Sequence, residues 1–251
     1  MELKDYPILS FAVTFVLLWL AAEIGNIFRN RWSSLKDEDR ADFGVVLGAA
    51  LTLLGLLIGF SFSMAVGRYD QRKNYEEAEA NAIGTEYVRA DLLPTANANE
   101  VRELLKKYLD QRVLFYITRD QRRLSQINAD TAELQNRLWS AVRTPALAQP
   151  TPVTALAIAG MNDVLNSQGY TQAAWWNRLP RSAWVLLLAI AFGCNMLIGF
   201  GARRTERRLF LIVPIAVSIA VFLIADIDSP RRGTIHVVPQ NLLSLSQSLT
   251  P

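Results

Sequence analysis

The side chains that could do chemistry in this sequence are mostly carboxylates, because the chain contains one cysteine and one histidine. Cys194 lies inside an apolar run, and His236 lies in the last part of the sequence. One cysteine cannot form an internal disulfide, and this pair cannot supply the ligands of a structural zinc site. We therefore expect no metal centre, no cofactor and no enzyme activity.

Three of the carboxylates have notable positions. Glu23 lies near the end of an apolar run, and an acid within a membrane span is a candidate functional residue. The simpler alternative is that Glu23 pairs with Arg203 or Arg204 or with water. Asp226 and Asp228 form an acidic turn with Pro230 and Gly233, and two carboxylates could contribute to a cation site. Acids beside arginines are more often caps and solvated pairs, so we predict no bound metal.

Four uncharged apolar runs must position these residues. They cover residues 8–22, 43–66, 183–202 and 209–225. Roughly 20 apolar residues cross a hydrocarbon core about 30 Å thick, so each run predicts a membrane-spanning helix. The connections 29–42 and 203–208 are short, and they therefore predict two transmembrane hairpins.

A polar segment, residues 67–182, separates the two hairpins and carries too many charges to cross a membrane. No proline interrupts residues 43–92, so the second span predicts one long helix that continues into the polar segment and stops before Pro94. Asn97 and Asp130 fit the N-caps of two further helices. The first of these has an apolar face formed by Val101, Leu104, Leu105, Tyr108 and Leu109.

The sequence as a whole predicts an all-α, four-span transmembrane protein with a helical extramembrane domain inserted between the second and third spans. The predicted parts are a first transmembrane hairpin (1–66), the helical domain (67–182), a second transmembrane hairpin (183–226), and the acidic turn with a C-terminal tail (227–251).

Small residues recur in the second span. Gly44-x-x-x-Gly48 and Gly55-x-x-x-Gly59 would each let another backbone approach closely. This pattern predicts either self-association of the protein around this helix or packing of the helix against the other spans of its own chain. The pattern itself does not distinguish the two.

Larger side chains form a stripe on the same helix. Thr52, Leu56 and Phe60 follow one another at four-residue steps, and a symmetric ring of such helices would line its axis with them. Hydrophobic rings of this kind constrict a pore and can gate it by dewetting. Contact with lipid or with the core is the alternative role for this stripe.

The net charge of +3 comes mostly from arginines near the ends of the apolar runs. This distribution is typical of membrane proteins. The charge distribution predicts the lipid bilayer as a partner and no nucleic acid, while the glycines and the stripe of the second span suggest further copies of the chain and inorganic ions.

Two stretches resemble a known family. The sequence LIGFSFSMAVGRYDQRKNYEEAEANAIG, with Gly59-Phe60 followed by Arg68, resembles the second transmembrane helix of bestrophins and their bacterial relatives. The acidic turn, with the pattern D-x-D-x-P-x-x-G, looks like the segment after the last bestrophin transmembrane helix. Both stretches and their spacing are similar to bacterial bestrophin-like domain membrane proteins, over nearly the whole chain.

This resemblance implies a homopentameric ion channel whose second helices surround the axis, with the constriction at Thr52, Leu56 and Phe60. Thr52 is polar where the constriction of the family is apolar. The resemblance also implies a bacterial inner membrane protein with a cytoplasmic extramembrane domain, although the Lys/Arg count of the short connections favours an external one. The alternative function is a non-conducting membrane scaffold or stress sensor whose helical insert binds a partner.

Overall fold

A computed structural model describes residues 6–32, 38–201 and 211–249 of the protein. The described residues form helices joined by short turns, and they contain no strand. The helices are α1 (Pro7–Trp32), α2 (Asp39–Arg89), α3 (Thr95–Ile117), α4 (Gln121–Ala148), α5 (Pro152–Trp176), α6 (Arg181–Gly201), α7 (Ile212–Asp228) and α8 (Gln240–Ser248). The prediction of an all-α fold is confirmed for this part of the chain.

The chain divides into two compact units. The first unit combines residues 1–69 with 178–236, and the second combines residues 70–177 with 237–251. The first unit therefore holds α1, the beginning of α2, α6 and α7. The second unit holds the rest of α2 together with α3, α4, α5 and α8. The four sequence segments proposed above remain a prediction.

Three helical segments within the described residues are long and apolar enough to cross a membrane. They are α1, α2 and the segment Pro152–Gly201, which ends with α6, a helix that is uncharged after Arg181. Helix α7 is apolar but has 17 described residues, and residues 202–210 before it lie outside the described part of the chain. The four-span layout therefore remains a prediction.

The core of the first unit joins α1, α2, α6 and α7. Its buried apolar side chains are Leu18, Leu54, Ala65, Leu179, Leu187, Ala191, Cys194, Val217, Val221, Ile224 and Ile227. Two glycines bring α1 and α6 into close contact: a Cβ on Gly25 would overlap the backbone of Met196, and one on Gly199 would overlap the backbone of Ala22. Only glycine allows two helix backbones to approach this closely.

Helix α2 is continuous over 51 residues, as predicted from the absence of proline. It ends in a 3-10 turn, Ala90–Leu92, directly before Leu93 and Pro94. Proline disfavours helical backbone in the residue that precedes it, and Leu93 is accordingly extended. The sequence thus determines both the length of α2 and the position of its end.

Two predicted helix starts are wrong. Helix α3 begins at Thr95 rather than after Asn97, and α4 runs through Asp130 without a break. The N-cap of α4 is Asp120, whose carboxylate accepts hydrogen bonds from the backbone of Arg122 and Arg123. Asp130 instead accepts a hydrogen bond from the side chain of Gln126 one turn earlier. The predicted apolar face of α3 is confirmed, because all five of its residues are buried.

Candidate functional site

The apolar part of α2 has one face packed in the first unit. Leu54 and Ala65 are buried in the core of that unit, and Leu51, Ile58 and Val66 are half-buried against it. The first four of these positions along the chain are separated by three, four and seven residues, which is the spacing of one helix face. They fix the rotation of α2 and so determine which side chains are left on its other face.

The exposed face of α2 carries the predicted stripe. Thr52 is exposed, and the side chains of Leu56 and Phe60 are 52% and 60% exposed. In the most apolar 18-residue stretch of α2, 6% of the residues are buried, compared with 33% in the corresponding stretch of α1. A single chain therefore leaves most of the apolar part of α2 uncovered.

The hydroxyl group of Thr52 is already used within the helix. Its Oγ1 donates a hydrogen bond of 2.9 Å to the carbonyl oxygen of Gly48. A threonine in a helix can satisfy its hydroxyl in this way. The polar residue in the stripe thus has its proton engaged by the backbone, which reduces the difference from an apolar side chain.

The four glycines predicted to mediate packing have open surroundings. A Cβ at Gly44, Gly48, Gly55 or Gly59 would meet no described atom within 4 Å. Within the described residues, these glycines therefore do not pack α2 against the other helices of its own chain. Their smooth surface is available to lipid or to another molecule.

Glu23 lies on α1 and is half-buried. Its suggested partners, Arg203 and Arg204, lie outside the described residues. Glu23 and the stripe of α2 are carried by different helices. A role for this intramembrane acid remains a prediction.

The first acid of the acidic turn holds the chain that follows α7. Asp226 is 1% exposed, and its carboxylate accepts hydrogen bonds from the backbone of Thr234 and Ile235 at 2.7 and 2.8 Å. The Thr234 hydroxyl donates a third, at 2.8 Å. A Cβ on Gly233 would overlap the Asp226 carbonyl oxygen. Asp226 and Gly233 together therefore close a tight turn around Pro230.

The second acid joins the end of α7 to the residues just before α6. Both lie in the first unit, which we call the membrane unit because it holds the apolar helices. Asp228 is fully buried and accepts a hydrogen bond of 3.0 Å from the backbone of Leu179, directly before α6. Arg178 donates a hydrogen bond of 3.0 Å to the Asp228 carbonyl oxygen, and its Nε lies 3.6 Å from the carboxylate. Both acids of the turn thus bind protein groups, which explains their presence without a cation.

Buried charges continue along α2 in the second unit, and sequence reasoning missed them. Arg72, Glu76, Glu79 and Glu86 are all at most 1% exposed. Together with Ile83 and Ala90 they repeat at alternating steps of four and three residues, which is the spacing of one buried helix face. The periodicity was a detectable signal, but charged side chains at these positions resemble a solvated face.

Two of these acids have partners on other helices. Glu79 forms a buried ion pair with Arg112 of α3 and accepts a hydrogen bond of 3.0 Å from Thr171 of α5. Glu76 accepts hydrogen bonds from the side chain of Asn241 and the backbone of Leu242, at 2.6 and 2.9 Å. The two contacts of Glu79 join α2 to α3 and to α5, and those of Glu76 join α2 to the first turn of α8.

The electrostatics of this cluster favour a permanent ion pair. Burial alone would lower the pKa of Arg112, but the Glu79 carboxylate raises it above its usual value. Burial also raises the pKa of Tyr108 and of Tyr116, and the charge of Glu79 adds to both effects. The two phenols thus keep their protons, and the guanidinium stays charged. We interpret this cluster as structural.

These arrangements favour position and packing over a chemical step. Within the described residues, no group of three or more histidine, cysteine, aspartate or glutamate side chains could hold a metal ion. The carboxylates that the structure brings together bind backbone amides, hydroxyls or arginine. Among the three candidate spans of the described chain, the apolar stretch of α2 has the smallest buried share.

A family model matches this sequence and structure. The model of the Bestrophin-like domain matches residues 9–242, which include α1, the whole of α2 and the acidic turn. The chain belongs to the Bestrophin-like domain family. The resemblance of the second span and of the acidic turn to this family is thereby confirmed.

Solved structures share the fold of this family member. One is a crystal structure of a bacterial Bestrophin homolog from Klebsiella pneumoniae, with a TM-score of 0.66, 12% sequence identity and 97% coverage of both chains. Another single-residue variant of that homolog has a TM-score of 0.63 and 15% identity, with 95% of this chain and 93% of that chain covered. No curated protein matches the sequence.

Proposed function

We propose that the protein is a homo-oligomeric ion channel whose pore is lined by α2. Membership of the Bestrophin-like family suggests an ion-channel kind of function. The observation that carries the proposal is the uncovered face of α2, where Leu56 and Phe60 are more than half exposed while the opposite face is packed. A ring of chains would cover this apolar surface and place one stripe from each chain around a shared axis.

The four open glycines support an assembly of this kind. Gly44, Gly48, Gly55 and Gly59 have room for the backbone of a neighbouring helix, and small residues favour close helix packing in membranes. We propose that they contact a second copy of the chain and that the assembly is a pentamer. Native mass spectrometry of the protein in detergent tests the subunit number, and a stable monomer contradicts the proposal because one chain has no closed axis.

Selection of ions would then arise from the ring itself. Thr52, Leu56 and Phe60 would form three successive constrictions, of which the two apolar ones could exclude water when the ring is narrow. The hydroxyl proton of Thr52 is bonded to the Gly48 carbonyl oxygen. The side chain would therefore present its oxygen lone pairs and its methyl group to the pore. The protein would conduct without any covalent step.

The test is current across planar bilayers that contain the reconstituted protein in asymmetric salt. Phe60→Ala widens the proposed ring, and we expect it to change the single-channel conductance. Phe62→Ala is a matched control, because Phe62 is 41% exposed and lies about 200° around the same helix at 100° per residue. Conductance altered by Phe60→Ala alone supports the pore, and the reversal potential identifies the ion.

Absence of current from all three proteins, over a range of voltage and pH, contradicts the channel. It would favour the alternative of a non-conducting scaffold or stress sensor. Equal changes in conductance from both substitutions would contradict the assignment of the pore to the Phe60 face.

We also propose that the protein is a multi-pass protein of a bacterial inner membrane, with α7 as a fourth span and the helices of the second unit in the cytoplasm. The apolar composition of α7 supports the fourth span. A cysteine introduced at exposed Ser125 tests the orientation, because buried Cys194 is shielded from an aqueous thiol reagent. Labelling in intact spheroplasts, where only the periplasmic side is accessible, contradicts the cytoplasmic assignment.

A further inference from the structure

Glu86 differs from the other buried acids of α2 because its carboxylate is unpaired. It is 0% exposed, and neither of its oxygen atoms has a hydrogen-bond partner among the described residues. Glu79 and Glu76, about two and three helical turns earlier, each bind groups on other helices. Most buried polar groups in proteins are satisfied in this way, so an exception requires an explanation.

The surroundings explain why no partner reaches Glu86. Its side chain lies against Gly160 of α5, where an added Cβ would overlap the Glu86 carboxylate and lie 2.6 Å from Arg89 Nη1. Gly160 lies inside α5, so the nearby amide groups are already used by the hydrogen bonds of that helix. At Gly160 the facing helix therefore presents backbone whose amide groups are already bonded.

Burial and two charged groups act on the carboxyl of Glu86, and the two charges act in opposite directions. Arg89 of α2 favours the ionised carboxylate, and Asp163 of α5 opposes it. Burial disfavours the ionised form most strongly, because an ion without hydrogen bonds loses its hydration. Burial outweighs the opposing charge of Arg89, and the pKa of Glu86 is raised from 4.5 to about 8.

We propose that Glu86 is a proton-binding site at the contact of α2 with α5, neutral while the two helices are packed and ionised when that contact loosens. Residue 86 lies 20 positions beyond the uncharged run of α2 that ends at residue 66. The site is thus separate from the apolar stripe and does not depend on whether the protein conducts ions. Its ligand is the proton.

The direction of the pH effect follows from this arrangement. Because the pKa of Glu86 is higher in the folded protein than in the unfolded chain, the folded state binds more protons between about pH 4.5 and 8. The contribution of Glu86 to folding stability is therefore most favourable below this range, decreases as the pH rises through it, and levels off above about pH 8. Opening of the α2–α5 contact alone should have the same pH dependence, because Glu86 can ionise once that contact is open.

The experiment compares thermal unfolding of the full-length protein in detergent at pH 5 to 9, for the wild type, Glu86→Gln and Glu77→Gln. Glutamine mimics the neutral acid, so we expect Glu86→Gln and the wild type to have similar Tm values at pH 5. By pH 8.5 the Tm of Glu86→Gln should be higher by about 5 °C or more. Glu77 is exposed on the same helix, and its variant should follow the wild type.

Parallel pH profiles for the wild type and Glu86→Gln overturn the proposal. If Glu86→Gln does not fold, infrared titration of the wild type decides the question. A protonated-carboxyl band that is present at pH 7 and disappears as the pH passes about 8 supports the proton site. Absence of that band at pH 7 overturns it.

Discussion

Gly25 of α1 and Gly199 of α6 lie against the backbone of the facing helix, whereas Gly44, Gly48 and Gly59 of α2 have no described atom within 4 Å of an added Cβ. All five belong to helices of the membrane unit. The same residue type therefore serves two purposes there: it closes contacts inside the chain in α1 and α6, and it leaves a smooth surface on α2. Each purpose predicts a different effect of adding a methyl group.

The largest effect is expected at the contact between α1 and α6. Gly199→Ala places a methyl group where the Ala22 backbone lies, so the two helices must separate along their contact. Overpacking of this kind costs roughly 1–3 kcal/mol, and here it acts against rigid backbone, so we expect the upper part of that range. SDS-induced unfolding of the purified protein measures the loss.

Gly193→Ala is the matched control on the same helix, because no described atom outside that helix lies within 4 Å of its added Cβ. Its stability should be equal to that of the wild type or slightly higher. Equal losses for the two variants would contradict the close contact at Gly199.

A smaller loss is expected at Gly160, which is the packed glycine of the second unit. Gly160→Ala displaces the side chains of Glu86 and Arg89, which can move more easily than backbone, so we expect a loss of about 1–2 kcal/mol. Thermal unfolding measures it. An added Cβ at Gly169 on the same helix would meet no atom of the described residues within 4 Å, and we predict no loss from the control Gly169→Ala.

On α2 we expect the replacement of glycine by alanine to stabilise the single chain rather than destabilise it. Gly48→Ala adds a methyl group to an open position, and alanine favours a helix over glycine by roughly 0.5–1 kcal/mol. The chain should therefore gain stability slightly, while the proposed oligomer weakens because its helices can no longer approach as closely. Unfolding and native mass spectrometry measure the two quantities separately.

An unchanged oligomer in Gly48→Ala, and also in the bulkier Gly48→Leu, would assign the open glycines to lipid contact. A loss of chain stability in Gly48→Ala would instead show that this position is packed inside the chain. The comparison between the two groups of glycines would then fail.

The smallest effect is expected at Gly84, which lies between packed and open. A Cβ there would lie 3.2 Å from Leu245 Cδ1 of α8, and the end of a leucine side chain can adjust by a few tenths of an ångström. The gain in helix propensity of Gly84→Ala offsets this adjustment, so we predict a net change within about 0.5 kcal/mol. Thermal unfolding of Gly84→Ala beside the wild type measures it, and a loss above 1 kcal/mol would indicate that α8 is held rigidly.

Local signals predicted the helices, while the contacts between them depended on distant residues. The length of α2 follows from the absence of proline, and its end from Pro94. Asp120 and Asp130 both have side chains suited to an N-cap, but only Asp120 stands where the chain leaves a helix. Local chemistry permits a cap at either position, so the choice depends on where neighbouring helices pack.

The site shows the same limit of sequence reasoning. The stripe of Thr52, Leu56 and Phe60 was predicted from spacing, and the structure places all three on an exposed face of α2. The buried charges could not be assigned in this way. Glu79 is neutralised by Arg112, which is 33 residues away, and only the fold brings a charge of opposite sign to it.

The spacing of glycines along the sequence did not predict which glycines close a helix contact within the chain. The repeated Gly-x-x-x-Gly spacing directed attention to α2, whose glycines have no neighbour in the described chain. Gly25 and Gly199, which do close a helix contact, are not part of such a pair on their helices. A single glycine is sufficient when the facing helix carries the complementary small residue, and sequence spacing along one helix cannot reveal that.

The contact between Glu76 and α8 has a consequence for biosynthesis. Glu76 and Asn241 are separated by 165 residues, and a ribosome adds roughly 5–20 residues per second. The ribosome therefore completes α6 and α7 before α8 can bind the Glu76 carboxylate. For roughly ten to thirty seconds of translation this part of α2 lacks its partner, and the second unit is completed only after the helices of the membrane unit have been made.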